Sequence, residues 1–281
     1  MILLRSFLTL SLLLLLSACQ VETPTDEQPN NTPPPTSEEG TGDGLFATLN
    51  ESCDYHLHPG VPGAPDQILC RDAFAIGINY DTKVADWVSY YVTAESVSGT
   101  VPRHDNFSED DEVPIAYRAT LADYSGSGYD RGHMAPNATV NYSYEAMDQS
   151  FWLSNITPQL PGFNRVGWVT MESWVRGCAL ELGELYVVTG AIFDGPVMDF
   201  VGNYVGIPDR FYKAVLDPMT GDTTAFLVPH RDIGTDEAPD FVVSLEVLEE
   251  ATGYALFPNL NPEIAQASKP VEQVVCELDG Y

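Results

Sequence analysis

Tyr129-Asp130-Arg131-Gly132-His133-Met134-Ala135-Pro136 begins the stretch around which this chain is built, and the stretch closes at Arg176. Ser125-Gly126-Ser127-Gly128 leads flexibly into it, and Met134-Ala135-Pro136 turns the chain out of it. Asp130 to His133 supply an acid, a fixed cation, a glycine and an imidazole in succession. In an extended segment Arg131 and His133 point to the same side, and Gly132 allows close backbone approach. An imidazole titrating near neutrality can take a proton from water at physiological pH. A histidine beside an aspartate is more often structural, so the case for His133 rests on what accompanies it.

About thirty residues later, Asn164–Leu182 shows helical periodicity, with Val166, Val169, Trp174 and Leu180 among polar positions, although Gly167 and Gly177 weaken it. Asn164, Trp168, Glu172 and Arg176 are spaced by four and form one slowly drifting stripe. The bland reading of that stripe is a solvated face with a Glu172–Arg176 pair. A rise of about 1.5 Å per residue sets Glu172 roughly 12 Å along the axis from Asn164, so both cannot ligate one ion directly. The ion is assigned to Asn164, and Glu172 is left to hold water around it or a neighbouring arginine. A neutral amide among many waters suits Mg²⁺, which gives up water reluctantly. A base, a hard cation and several arginines are together what phosphodiester hydrolysis needs.

Working outward, strands are expected at Ala73–Tyr80 and Trp87–Thr93, with Asp81-Thr82 in the turn region between them. Phe151–Ile156 reads as a buried strand and Leu185–Phe193 as a central one. Phe211–Leu216 and Thr223–Val228 form a hairpin around Asp217–Asp222. Ser143–Ser150 reads as a short helix, and Ser244 caps another that Gly253 ends. Tyr254–Phe257 is expected to add a short strand. Cys53 to Cys70 reads as an irregular loop and Glu109–Glu112 as a solvated acidic run. Strands interleaved with few helices predict an α+β domain with a mainly antiparallel central sheet and flanking helices.

Charge is the anomaly, with 12 Lys+Arg against 41 Asp+Glu and a net charge of −29. Residues 1–45 hold only Arg5 and six acids, so the acidity belongs to the remainder. Lysine occurs only at Lys83, Lys213 and Lys269. Such a surface suits salty surroundings, where charges act over a Debye length of about 8 Å or less. Taken alone it argues against nucleic-acid binding, which normally leaves a basic footprint.

Residues 1–19 read as a targeting segment: Arg5 is followed by an apolar run, Phe7 to Leu16, too short to cross a bilayer. It ends in Leu16-Ser17-Ala18-Cys19, which resembles a bacterial lipobox and makes Cys19 the lipidation site. Gln20 after it looks like the pattern of lipoproteins sent to an outer membrane. Residues 20–45, rich in Thr, Pro, Glu and Gly, read as a disordered tether, and 46–281 as the folded domain. The expectation is an exported bacterial lipoprotein at the outer membrane, the cell surface or in the periplasm.

Cys53, Cys70, Cys178 and Cys276 remain, an even number that suggests disulfides in an exported chain. Spacing permits three pairings. Cys53 with Cys70 and Cys178 with Cys276 is preferred, the second stapling the C-terminus to the core. No Cys/His cluster has zinc spacing.

The residues quoted, with Leu153-Ser154-Asn155-Ile156-Thr157-Pro158-Gln159 and Val84-Ala85-Asp86-Trp87 upstream, resemble the DNA/RNA non-specific endonuclease family with its ββα-metal active site. The likeness runs from about Cys70 to Cys276 and includes Lys269-Pro270. It implies His133 as general base and Asn164 as the sole protein ligand of Mg²⁺, with Mn²⁺ as a substitute. Glu172 would organise metal-bound water, Arg131 and Arg176 would bind phosphate, and Arg103 would stabilise the transition state. Asp130 would orient the site and Asn155 support it. Substrates would be DNA and RNA, and products would carry 5′-phosphates. Cys178 departs from the family pattern, as do the lipobox, the tether and the acidity.

Two other readings compete: a surface lipoprotein that binds through an inactive version of the fold, and a phosphodiesterase for smaller nucleotides. The full set of Arg103, Arg131, His133, Asn164, Glu172 and Arg176 speaks against the first. Three arginines and an ion in one groove answer the charge objection, and the acidic surround predicts activity at marine-like salt.

Overall fold

The structure, a computed structural model, describes residues 53–260 and 275–277. The expected leader 1–19 with Cys19, the tether 20–45, the first residues of the 46–281 domain and Lys269-Pro270 lie outside them.

Along the chain, β1 (Gln67–Cys70), β2 (Ala75–Ile78) and β3 (Ala85–Thr93) form an antiparallel meander. The short helix α1 (Leu121–Tyr124) precedes β4 (Asp130–His133). Next come α2 (Asn137–Val140), α3 (Tyr144–Ser150) and β5 (Ile156–Gln159). β4 and β5 make a separate antiparallel pair. Helix α4 (Val169–Leu182) leads into β6 (Glu184–Ile192), followed by a small ribbon of β7 (Phe200–Val201) and β8 (Val205–Gly206). Strands β9 (Arg210–Leu216), β10 (Thr223–Pro229) and β11 (Val242–Val243) precede α5 (Leu245–Thr252). The main sheet is antiparallel throughout, in the order β1-β2-β3-β6-β9-β10-β11.

The period of two along the strands sorts side chains into two cores. Val88, Tyr90 and Val92 of β3, Leu185 and Val187 of β6, and Phe211 and Val215 of β9 join the core that also contains Met171, Trp174 and Val175 of α4. Trp87 of β3, Tyr186 and Val188 of β6, and Tyr212 and Ala214 of β9 belong to the other core, with Leu248 of α5 and Leu256 and Phe257. Because both faces are covered, β6 is buried along nearly its whole length. Each large apolar side chain so enclosed contributes about 1.5–3 kcal/mol. The Cys53–Cys70 disulfide closes the segment entering β1, and Cys178–Cys276 fixes the C-terminal segment to α4.

The α+β class, the antiparallel sheet, the preferred cysteine pairing and the capped helix after Ser244 follow the sequence reading. Four local expectations are corrected. The supposed loop before Cys70 contains β1, whose edge position lets Ile68 face outward. The strand expected at Phe151–Ile156 is a 3-10 turn, Leu153–Asn155, with β5 starting only at Ile156. Tyr254–Phe257 forms no strand; Leu256 N–H donates instead to Glu249 of α5. The acidic run is not wholly solvated: Asp110 is buried, accepting from Arg71 at 2.6 Å and from the Ser154 hydroxyl at 2.5 Å.

Candidate active site

β4 carries Asp130, Arg131 and His133, and α4 carries Glu172 and Arg176; Asn155 lies in the 3-10 turn before β5, Asn164 in the turn before α4, and Arg103 in a loop. Asp130 to His133 run antiparallel to Gln159 to Ile156, which holds Arg131 and His133 on one side of the extended segment. A Cβ at position 132 would lie 2.1 Å from the buried Gln159 side chain, so glycine is required where the strands touch. Asn155, fully buried, clamps the chain just past His133. Its Oδ1 accepts from Ala135 N–H at 2.9 Å, and its Nδ2 donates to the carbonyls of Ala135 and Ser150 at 2.9 Å.

Aromatic rings form the floor. Phe107 and Phe151 meet edge to face at 5.0 Å, and the His133 ring stands 4.9 Å from Phe151 and 5.6 Å from Phe107. The Arg131 guanidinium lies 4.1 Å over Phe107, and that of Arg103 lies 5.1 Å over Phe151. Cation–π attraction therefore seats both arginines beside the imidazole. Arg103 also pairs with Asp105 at 2.8 Å, an exposed contact of little intrinsic strength. His133 Nε2 is buried without a hydrogen-bond partner. Burial first, then the charges of Arg103 and Arg131 against the opposing pull of Asp105, press the imidazole pKa down to about 3.

Asn164 does not start a regular α-helix. It sits in a π-helical turn, Phe163–Trp168, that precedes α4. Such wide turns re-aim side chains and recur at functional sites. A Cβ on Gly167 would lie 1.9 Å from Ile233, so a glycine allows that packing. The Asn164 Nδ2 donates to Asp130 at 2.9 Å, and Arg165 grips the same carboxylate with two bonds of 2.7 and 2.6 Å. Burial raises the Asp130 pKa, but those bonds and the charges of Arg165 and Arg131 outweigh it and hold the group below the usual carboxylate range. His230 braces the approach to this turn. Its Nε2 accepts from Leu160 N–H at 2.8 Å, which leaves Nδ1–H to donate to the Pro208 carbonyl at 2.8 Å.

Glu172 and Arg176 lie farther along the helix, both half-buried. Their expected ion pair does not close; Arg176 donates to Ser173 at 2.7 Å, and its Nη1 is buried without a partner. Burial raises the Glu172 pKa, while Lys213, Arg176 and Arg103 pull it back. Arg103 is thus felt by both His133 and Glu172, which places the two groups in one electrostatic neighbourhood.

Among the described residues, Lys83, Arg131, Arg176 and Lys213 are the cations with no acidic group at ion-pair distance. Lys83 and Lys213 are buried, so Arg131 and Arg176 are the unmatched charges available to an anion. No three His, Cys, Asp or Glu side chains converge as a metal cage among the described residues. The donor set does fit a largely hydrated hard cation. With its nitrogen committed to Asp130, Asn164 has its amide oxygen to offer, and oxygen is what Mg²⁺ takes.

The structure thus brings together Arg103, Arg131 and His133, joins Asp130 to Asn164, and sets Asn155 beneath them. Sequence reasoning missed Phe107, Phe151, Arg165, Lys213 and His230. Only Arg165, adjacent to Asn164, had a local signal.

The sequence pattern of the DNA/RNA non-specific endonuclease family matches residues 54–263. Nuclease C1 of Cunninghamella echinulata var. echinulata is 38% identical over 224 residues, covering 73% of this chain and 88% of that protein. Human mitochondrial endonuclease G is 34% identical over 218 residues, 72% of each chain. The structure superposes with a TM-score of 0.68 on a chain from the crystal structure of the EndoG/EndoGI complex. The two are 26% identical, and the match covers 79% of this chain and 96% of that one.

Proposed function

The chain belongs to the DNA/RNA non-specific endonuclease family, and from that premise we propose that it hydrolyses phosphodiester bonds of DNA and RNA with Mg²⁺ as cofactor and His133 as general base. That it is a nuclease follows from the family. The observation that carries the finer reading is the seating of Arg103, Arg131 and His133 on one aromatic floor, beside an Asn164 amide orientated by Asp130.

A phosphate entering between Arg103 and Arg131 meets two guanidinium groups held for its oxygens. Arg103 must exchange Asp105 for the substrate. Neutralising those two cations removes part of what depresses His133, so substrate binding raises the basicity of the imidazole where a water proton has to go. Asn164, fixed by Asp130, would hold Mg²⁺, or Mn²⁺ in its place. That ion would polarise the phosphate and assist departure of the 3′ oxygen. Arg176 and Glu172 would bind phosphate and orient solvent on the far side. Products with 5′-phosphates follow from 3′-oxygen departure.

Arg5, the apolar run to Leu16 and Cys19 support export as a lipoprotein, with residues 20–45 as the tether and the outer membrane or cell surface as destination. No helix among the described residues is long and apolar enough to cross a membrane.

The test is a plasmid-nicking and RNA-degradation assay of the chain with Mg²⁺, beside H133A and an EDTA control. Loss of cleavage in both controls is expected. A wild-type protein that cuts neither polymer, or a fully active H133A, would remove the reading. Globomycin-sensitive processing and labelled-palmitate incorporation, both lost in C19S, test the lipid anchor.

A further inference from the structure

Lys213 occupies a position where strand alternation calls for an apolar side chain. It lies on β9 between Phe211 and Val215, fully buried on the face covered by α4. A buried ammonium is strongly disfavoured unless something compensates it. Its visible contacts are weak. Nζ stands 3.4 Å from the Thr189 hydroxyl and 3.5 Å from the Tyr90 hydroxyl, and 4.5 Å over the Trp168 ring.

Each of these contacts belongs to an element under or within the site. Thr189 is the β6 residue registered opposite Lys213, and Tyr90 is on the neighbouring strand β3. Trp168 ends the turn that carries Asn164 and precedes Glu172 by four residues. The charges that act on the lysine are those of Glu172 and Arg176 of α4. Glu172 is the one that favours its protonation, while Arg176 opposes it. Reciprocally, Lys213 leads the charges that favour an ionised Glu172, ahead of Arg176 and Arg103. Lys213 and Glu172 thus support each other's charge across the helix–sheet interface without closing to ion-pair distance.

We propose that Lys213 is a positioning residue of this active site, its buried ammonium supporting Trp168 from beneath the helix and, through it, the face on which Glu172 stands one turn later. The inference rests on the phosphodiester-hydrolase reading for its catalytic consequence, but not for the charge coupling itself. Lys213 touches no substrate. It acts through the group above it, and its removal should lower turnover more than substrate affinity.

The test uses the whole chain as wild type, K213M, K213R, E172Q and E172Q/K213M, read by melting temperature and by kcat and KM on plasmid DNA with Mg²⁺. K213M is expected to lose about 100-fold in kcat with KM changed by less than about threefold, and K213R to recover most of that loss. E172Q removes both the charge that supports Lys213 and a carboxylate that burial disfavours, so its melting temperature is read only within the double-variant comparison. The E172Q/K213M chain should melt above the value that adding the two single changes would give. A K213M protein with wild-type kcat overturns the proposal. So do additive losses in melting temperature, or a K213R as damaged in kcat as K213M. Should K213M not fold, K213R decides: a kcat as low as that of E172Q refutes the positioning role. Wild-type chain that fails to cut DNA counts against the hydrolase reading alone, since melting involves no substrate.

Discussion

The Asn164 side-chain nitrogen donates to the Asp130 carboxylate at 2.9 Å, and this contact decides which end of the amide is left for a ligand. An ionised carboxylate only accepts hydrogen bonds, so the amide must turn its NH₂ toward it. Asp130 stays ionised because Arg165 and Asn164 hold its pKa below the ordinary range despite burial. Two residues 34 apart in sequence thereby build a single oxygen donor of fixed direction.

Replacing Asp130 with alanine is expected to weaken metal binding rather than abolish the fold. Partners that orient a ligand are worth about 10–100-fold in metal affinity. Calorimetric titration with Mn²⁺ should show that loss, with a matching rise in the Mg²⁺ concentration for half-maximal cleavage. Unchanged Mn²⁺ affinity in D130A would remove Asp130 from this role.

His133 sets a signed dependence of stability on pH. Its folded pKa is depressed to about 3 from an ordinary 6.5, so below 6.5 the unfolded chain takes up a proton that the folded chain refuses. Stability from this group is intact above 6.5 and is lost as pH falls toward 3. Glu172 has the opposite sign: with its folded pKa raised from 4.5 to about 7, its contribution is lost as pH rises through that window. Subtracting H133N isolates the imidazole. Urea unfolding should show wild type losing a few kcal/mol more than H133N between neutrality and about pH 4. Parallel curves would mean that the ring is solvated and free to protonate.

The aromatic floor gives a third expectation. Phe107 is only half-buried, so F107L should cost little stability yet remove the ring under Arg131. Cation–π contacts of this kind are worth about 0.5–2 kcal/mol, which predicts a drop of roughly two- to thirtyfold in kcat/KM. F151A, by contrast, empties a fully buried site and should cost about 3–5 kcal/mol of stability. If F107L cleaves like wild type, the ring is packing only.

The contrast between Phe107 and Asn164 shows what was legible in the sequence. Asp130 to His133 could be read because the candidate groups lie in consecutive residues whose strand period fixes their side. The stripe of Asn164, Trp168, Glu172 and Arg176 does not run along one regular helix: its first two members lie in the π turn and only Glu172 and Arg176 in α4. Phe107, Phe151, His230 and Lys213 come from four separate segments and meet only through packing, so no local period marks them. Lys213 even breaks its strand's pattern. The short misreadings share one cause: Phe151–Ile156 and Tyr254–Phe257 are apolar runs too brief to separate a strand from a buried turn.

The Cys178–Cys276 bridge spans 98 residues and should matter to stability more than to chemistry. On the chain-entropy account a loop of that size contributes about 4–5 kcal/mol. C178S/C276S should therefore melt well below wild type, while kcat measured at low temperature stays within about twofold. Loss of kcat at temperatures where the variant is folded would tie the bridge to the site instead.

Salt dependence follows from counting the charges that are not already answered. Arg103 pairs with Asp105, Arg165 with Asp130, Arg118 with Asp111, Arg210 with Asp194 and Arg231 with Glu237. That leaves Arg131 and Arg176 accessible, with Arg103 once Asp105 lets go. About two or three phosphate contacts give a slope of log affinity against log salt near −2 to −3, against −5 to −9 for a protein making 6–10 contacts. The −29 net charge repels DNA at low salt, and screening relieves that repulsion, which flattens the slope further. From about 50 to 200 mM NaCl at constant free Mg²⁺, kcat/KM should fall less than about tenfold, against 10³–10⁵ for an extensive basic footprint. A thousandfold loss would show that the acidic surface hides a longer phosphate track, and would contradict activity at marine-like salt.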